Sequence, residues 1–141
     1  MALKLSLKPG ERFVVNGAVL QNGDRRAILL LQNKASILRE KDIIQPEDVT
    51  TPVRHIYFPI MMMYLDLAEA NTYYDEFVLR LSEFMSVTSS TDILKECVSL
   101  SREVMAADYY KALTRCRKLI IYEQGLLDNV HPGVPDDGAE D

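Results

Sequence analysis

At 141 residues, 48% of them apolar and with a net charge of −5, the chain is long enough to bury its own core without a disulfide or a structural metal. No apolar run approaches the roughly 18 residues that span a bilayer, and the first residues lack the charged-then-apolar pattern of a secretory signal. A cytoplasmic protein with no membrane contact is expected, and the lone cysteines Cys97 and Cys116, without Cys-x-x-Cys spacing, read as small buried hydrophobes of a reducing compartment.

Charge is unevenly distributed. Residues 1–54 carry nine Lys or Arg against six Asp or Glu, a net +3, and the remainder carries seven against fifteen, a net −8. Two surfaces of opposite sign suit two different partners.

Taken in order, Leu3, Leu5 and Leu7 alternate with Lys4, Ser6 and Lys8, the period-2 pattern of a half-buried strand. Pro9-Gly10 is turn chemistry. Phe13-Val14-Val15 and Ala18-Val19-Leu20 flank Asn16-Gly17, and Asn22-Gly23 follows at once. Asn-Gly between apolar runs is the strongest short hairpin signal, because a type I′ turn needs positive φ at both central residues. Two in succession predict a tight β-meander. Ala27-Ile28-Leu29-Leu30-Leu31 is apolar at every position, so it should be covered on both faces, by the sheet closing, by helices or by another subunit. A homo-oligomer is expected on that ground. With Ala35 to Arg39, five short strands fit a small antiparallel sheet or partly open barrel.

Between Arg39 and Pro52 the composition turns polar, which marks a domain boundary. Thr51-Pro52 is an N-cap followed by Pro at the first helical position. Ile56, Ile60, Met63, Tyr64 and Leu67 then share a helical face, although Pro59 lies among them and predicts a kink, the alternative being a helix that begins at Pro59. A second helix follows the break at Glu69–Thr72, with Phe77, Val78 and Leu81 on its apolar side. A polar loop at Ser86–Thr91 opens a third helix with Ile93, Cys97, Leu100 and Val104. A fourth and longest carries Tyr109, Leu113, Cys116, Ile120 and Leu127 in register. Short connections make these antiparallel neighbours. The fold class read from the chain is therefore α+β: a small N-terminal antiparallel sheet or partly open barrel over 1–50, an antiparallel bundle of about four helices over 51–127, and a disordered acidic tail over 128–141.

Chemistry finds little footing. His131 lies in the tail, and His55 opens a helix with no Cys, Asp or Ser at a ligand or triad spacing. Three or four convergent donors are needed to hold a metal, and the glycines belong to turns rather than to a phosphate loop. No enzyme activity, metal or other cofactor is expected. The basic residues of the β unit remain. Arg25 and Arg26 follow the second turn, Lys4, Lys8 and Arg12 lie on strands that could neighbour them, and Lys34, Arg39 and Lys41 gather near the other end. Arg suits phosphate contacts, and small sheets and barrels bind unpaired RNA through basic grooves. These eight residues are the candidate RNA contacts; a solvated sheet face is the bland alternative. Three more stand out as partner contacts: Met61 in Met61-Met62-Met63, Tyr110 beside the core-register Tyr109, and Glu123, an acid in the apolar register of the last helix. For Met61 the alternative is core packing, and for Glu123 an ion pair with an arginine such as Arg117.

The residues Leu3-Lys4-Leu5, Asn16-Gly17-Ala18, Asn22-Gly23-Asp24-Arg25-Arg26, Gln32-Asn33 and Leu38-Arg39-Glu40 recur in one known arrangement. They are followed by Thr51-Pro52, Ile56-Tyr57-Phe58, Tyr109-Tyr110-Lys111-Ala112-Leu113 and Tyr122-Glu123. In this order, from residue 3 to about 127, the pattern resembles the FlbT family of alphaproteobacterial regulators of flagellin synthesis. The resemblance implies a non-enzymatic protein that associates with the 5′ untranslated region of flagellin messenger RNA, repressing translation or promoting decay. It also implies a second small flagellar regulator as a partner, and it carries no residue-level RNA site. The opening Leu5 to Gly17 is similar, over a short span, to the carbon storage regulator family of leader-binding β proteins. The competing reading is a helical adaptor or secretion chaperone for a flagellar protein.

Overall fold

In the computed structural model, which describes residues 3–130, five strands precede four α-helices. The strands are β1 (Leu3–Leu7), β2 (Arg12–Val15), β3 (Ala18–Gln21), β4 (Ala27–Leu31) and β5 (Ile37–Arg39). The helices are α1 (Pro52–Leu65), α2 (Ala70–Val87), α3 (Thr91–Met105) and α4 (Tyr109–Val130), and short 3₁₀ turns at Glu40–Asp42, Pro46–Asp48 and Leu67–Glu69 make the connections. The α+β class holds. Helix α4 runs to Val130, and the rest of the tail expected over 128–141, with His131, lies outside the described residues.

The strands form two sheets rather than one meander. β2 is central in an antiparallel β3-β2-β5 sheet, while β1 and β4 pair only with each other. Asn16-Gly17 makes the expected hairpin between β2 and β3, with φ of 49° and 85°. Asn22-Gly23 does not, because Gly23 keeps φ outside the left-handed region and Asn22 is used differently. Its side-chain amide donates to the carbonyls of Lys8 and Arg25, both at 2.8 Å, and its backbone N–H donates to Glu11 O, also at 2.8 Å. The dipeptide thus ties the β1–β2 turn to the end of β3, and the chain goes on to β4, which pairs with β1.

The β1–β4 register pairs Leu3 with Leu31, Leu5 with Leu29 and Leu7 with Ala27. One face of this ribbon therefore carries leucines, and the other carries Lys4 and Ser6 beside Leu30 and Ile28. The expectation that β4 is covered on both faces fails within the single chain. Ile28 and Leu30 are each 59% exposed, since neither sheet closure nor any helix reaches them.

The core lies elsewhere, in the helices. Val53, Ile56, Ile60, Met63, Phe77, Leu100, Leu113 and Cys116 are fully or almost fully buried, and Leu38 of β5 joins them. Helix α1 is the centrepiece, packing on both α2 and α4, with α3 laid on α4. Thr51 caps it, its Oγ1 accepting the N–H of Arg54 at 3.4 Å, with Pro52 at the first turn. The helix passes through Pro59 without interruption. Proline there leaves the carbonyl of His55 without its usual donor. Leu67, assigned to the apolar face of this helix, is exposed in the 3₁₀ turn beyond it.

Candidate nucleic-acid interface

The β unit meets the helices along one seam, held by specific hydrogen bonds. The Tyr64 hydroxyl at the end of α1 accepts the N–H of Ile37 at 2.8 Å and donates to its carbonyl at 3.0 Å, doing for β5 what a neighbouring strand would do. The Tyr57 hydroxyl donates to the Asp42 carbonyl at 2.6 Å. Burial pushes that phenol up to about 12, so it stays protonated and remains a donor. Arg117 of α4 lies 3.5 Å from the Asp42 carboxylate and donates to the Tyr57 hydroxyl at 3.4 Å. Asp42, Tyr57, Tyr64 and Arg117 carry this seam, and none is a candidate from the sequence. In the sequence Tyr57 enters only through the family pattern, Tyr64 only as part of the apolar face of α1 and Arg117 only as a possible partner of Glu123, and nothing singles out Asp42 in its 3₁₀ turn.

Above these bonds lies a cleft of about 440 Å³, walled by Leu3 and Leu5 of the ribbon on one side and by Tyr64, Tyr110 and Arg117 on the other, with Lys41 at its rim. Tyr110 is half exposed. Its ring centroid is 5.8 Å from that of Tyr64, and the Arg117 guanidinium carbon is 5.8 Å from the same centroid. A second cleft of about 530 Å³ shares Ala35, Tyr64 and Tyr110 with the first and reaches Lys34. A third of about 580 Å³ shares Arg39 and Lys41 and reaches Lys8. These three adjoining clefts make up the furrow along the seam, with Lys34 at one of them, Lys8 and Lys41 at another and the Tyr64–Tyr110 pair shared by two. Cations and aromatic rings are the groups that hold a nucleic-acid strand through phosphate contacts and base stacking.

The eight basic candidates fall into distinct groups. Lys8 and Arg25 come together, because Asn22 holds both their carbonyls. Lys41 stands across the third cleft from Lys8, and Lys34 lies at the opposite end of the furrow. Lys4 is on the outward face of the ribbon opposite Leu30, and Arg26 is exposed immediately before β4. Arg12 is exposed at the end of β2, opposite Gln21, its backbone N–H donating to Glu40 at 2.7 Å. Arg39 alone is committed within the fold. Its guanidinium grips Glu11 at 2.9 and 3.0 Å and also reaches the Ser6 carbonyl, joining β5 to the β1–β2 turn. That grip, together with the Lys8 N–H, holds the Glu11 carboxyl below its ordinary range. Among the described residues, none of Lys4, Lys8, Arg12, Arg25, Arg26, Lys34 and Lys41 is in an ion pair.

Of the three partner candidates, Tyr110 is open to solvent and the other two point inward. Met61 is buried in the core, its sulfur accepting the N–H of Ile44 at 3.5 Å. Glu123 is 7% exposed and turns its carboxylate to the first turn of α1, where Oε2 accepts the N–H of Val53 at 3.0 Å. An anion at a helix N-terminus also meets the positive end of the helix dipole. Arg117, offered as its ion-pair partner, goes to Asp42 instead. A second inward acid, Glu103, is 8% exposed and is chelated by Arg115 at 2.8 and 3.0 Å. Its signal in the sequence is the same as that of Glu123, an acid in an apolar register.

Both cysteines are free and buried. Burial pushes the Cys97 thiol up to about 11 and Cys116 further still, so neither is a nucleophile at neutral pH. Among the described residues no group of three His, Cys, Asp or Glu side chains could hold a metal, and no helix is long and apolar enough to cross a membrane.

Comparison with known proteins agrees over nearly the whole chain. No solved structure matches it. A flagellum biosynthesis repressor protein FlbT of Caulobacter vibrioides is 63% identical over 134 residues, covering 95% of both chains. A probable flagellum biosynthesis repressor protein FlbT of Caulobacter sp. is 62% identical, covering 92% of this chain and 99% of its own. One from Bradyrhizobium diazoefficiens is 36% identical, covering 94% and 91%. The family described as flagellar protein FlbT matches residues 3–127, from the first leucine of the ribbon to the last turns of α4, and the chain belongs to that family.

Proposed function

We propose that this protein is an RNA-binding, non-enzymatic regulator of flagellin expression. In this reading it contacts the 5′ untranslated region of flagellin messenger RNA and represses its translation or promotes its decay in the cytoplasm. Family membership supports the flagellar assignment, since the similar proteins are named as repressors of flagellum biosynthesis. What supports RNA as the ligand is the furrow itself, where Tyr64 and Tyr110 lie between Lys34 at one end and Lys41 and Lys8 at the other. Arg25, Arg26, Lys4 and Arg12 are exposed on the β unit outside these clefts and would add phosphate contacts beyond them. A second flagellar regulator protein would sit on the acidic helical half, and self-association would use the β unit.

Purified protein titrated with flagellin leader RNA across a salt series tests the reading. Log affinity should fall linearly with log salt, with a slope of about −0.7 per phosphate contact on a single strand, and an Arg25→Glu/Arg26→Glu variant should lose binding. Absent or salt-insensitive binding defeats direct contact. The alternative is an adaptor or secretion-chaperone-like module for a flagellar protein, favoured by the exposed Ile121, Tyr122 and Leu126 on α4. It is supported instead if a flagellar protein co-purifies through nuclease treatment and is lost on disruption of residues 55–127.

A further inference from the structure

The β1–β4 ribbon is built as no isolated part of a protein should be. A two-stranded ribbon standing apart from other strands is marginal in water, and this one pairs with no third strand among the described residues. Its β4 strand is Ala-Ile-Leu-Leu-Leu, without a charge, a proline or a glycine over five residues. Exposed sheet edges are ordinarily blunted by charged side chains, proline or a bulge. Here the charges stop short, with Arg25 and Arg26 before the strand and Lys34 three residues after it. Leu3, Ile28, Leu29 and Leu30 are all exposed, Ile28 and Leu30 most of all, and the free edge of β4 leaves backbone N–H and C=O groups without a strand partner among the described residues.

We propose that a second copy of this chain covers the ribbon, so that the protein is a homodimer joined β unit to β unit across a two-fold axis. The occupant is argued from the strand itself. β4 offers no charged side chain with which to select a different protein. Turned antiparallel about Leu29, it sets Ile28 against Leu30 and Leu30 against Ile28, so the strand is its own complement, as an isologous interface demands. A second copy added along the free edge of β4 would cover Ile28 and Leu30, the most exposed side chains of the ribbon, and pair its open backbone groups in the same step. This inference makes specific the self-association named above and does not depend on RNA contact.

Sedimentation equilibrium of the full chain over a concentration series decides it. The expected mass is twice the 16.0 kDa of one chain, and an Ile28→Lys/Leu30→Lys variant should fall to the single-chain mass with its helical circular dichroism intact. A Val98→Lys variant, altering an exposed apolar residue of α3, should stay dimeric. Hydrogen exchange on the wild type adds a readout that no folding defect can confuse: amides 27–31 should gain protection as concentration rises. A single-chain mass at every concentration, a mass above two copies, a double variant that remains dimeric, or protection at 27–31 indifferent to concentration each overturns the inference. A dimer that ignores RNA sinks the proposed function and leaves this standing; a monomer that binds RNA does the reverse.

Discussion

The carboxylate of Glu123, on α4, accepts the backbone N–H of Val53 in the first turn of α1 across a sequence separation of 70 residues. Helix starts are usually capped by the residue just before them. Here Thr51 does that for Arg54, and an acid from another helix serves Val53. Val53 and Glu123 are both buried, so an N–H left behind there is withdrawn from bulk solvent. Glu123→Ala should therefore destabilise the protein by about 1–3 kcal/mol, the cost of an orphaned buried donor, seen as a lower urea midpoint with an unchanged denaturant slope.

The two Asn-Gly pairs should respond differently to the same change. Gly17 has φ of +85°, and a Cβ there would lie 3.0 Å from the Leu65 carbonyl oxygen at the end of α1. Gly17→Ala should cost about 1–2 kcal/mol from the left-handed backbone alone, and more if α1 must give way. At Gly23 φ lies outside the positive region and nothing comes within 4 Å, so Gly23→Ala should leave thermal stability unchanged or slightly raised.

The Glu11–Arg39 pair predicts an acid limb. Arg39 holds the Glu11 carboxyl below its ordinary value of 4.5, so the folded state binds that proton less readily than the unfolded chain. The stabilisation is complete above about pH 4.5 and is lost as pH falls through the lower native value. An Arg39→Gln variant should be less stable than the wild type at pH 7, and the difference in urea midpoint should shrink by pH 3. An equal difference at both would mean that Arg39 acts through packing.

Along the furrow, stacking and charge should separate. Tyr110→Ala removes a ring and no charge, so RNA affinity should fall about tenfold to a hundredfold, the worth of one stacked base, with the salt slope unchanged. Lys41→Ala should weaken binding less and reduce the slope by about 0.7. Fluorescence anisotropy with labelled leader RNA at several salt concentrations distinguishes the two.

Much of this architecture is legible in the residues. Alternation in Leu3–Leu7, Asn16-Gly17 and the helical registers around Ile56, Cys97 and Leu113 locate strands, hairpin and helices, because each is a local preference. The split into two sheets is not, since Asn22-Gly23 has the same local chemistry as Asn16-Gly17. The difference lies in where the Asn22 side chain finds acceptors, on Lys8 and Arg25, and that depends on the whole β unit. Likewise the cationic end of the furrow can be anticipated from composition, whereas the Tyr64–Tyr110–Arg117 wall brings together residues from two helices that no spacing connects. Arg39 is the converse case, a basic residue whose charge the fold already uses.

The double hydrogen bond from Tyr64 to Ile37 has a consequence for synthesis on the ribosome. When the first fifty residues have emerged, β5 still lacks the hydroxyl that satisfies its backbone and Leu38 still lacks the helical core into which it packs. The amino-terminal strands are made first, yet their last member can settle only after α1 has been released. Until then the nascent chain exposes Leu38 together with the apolar β4 strand, and the interval before α1 arrives is when the polypeptide is most open to a wrong partner.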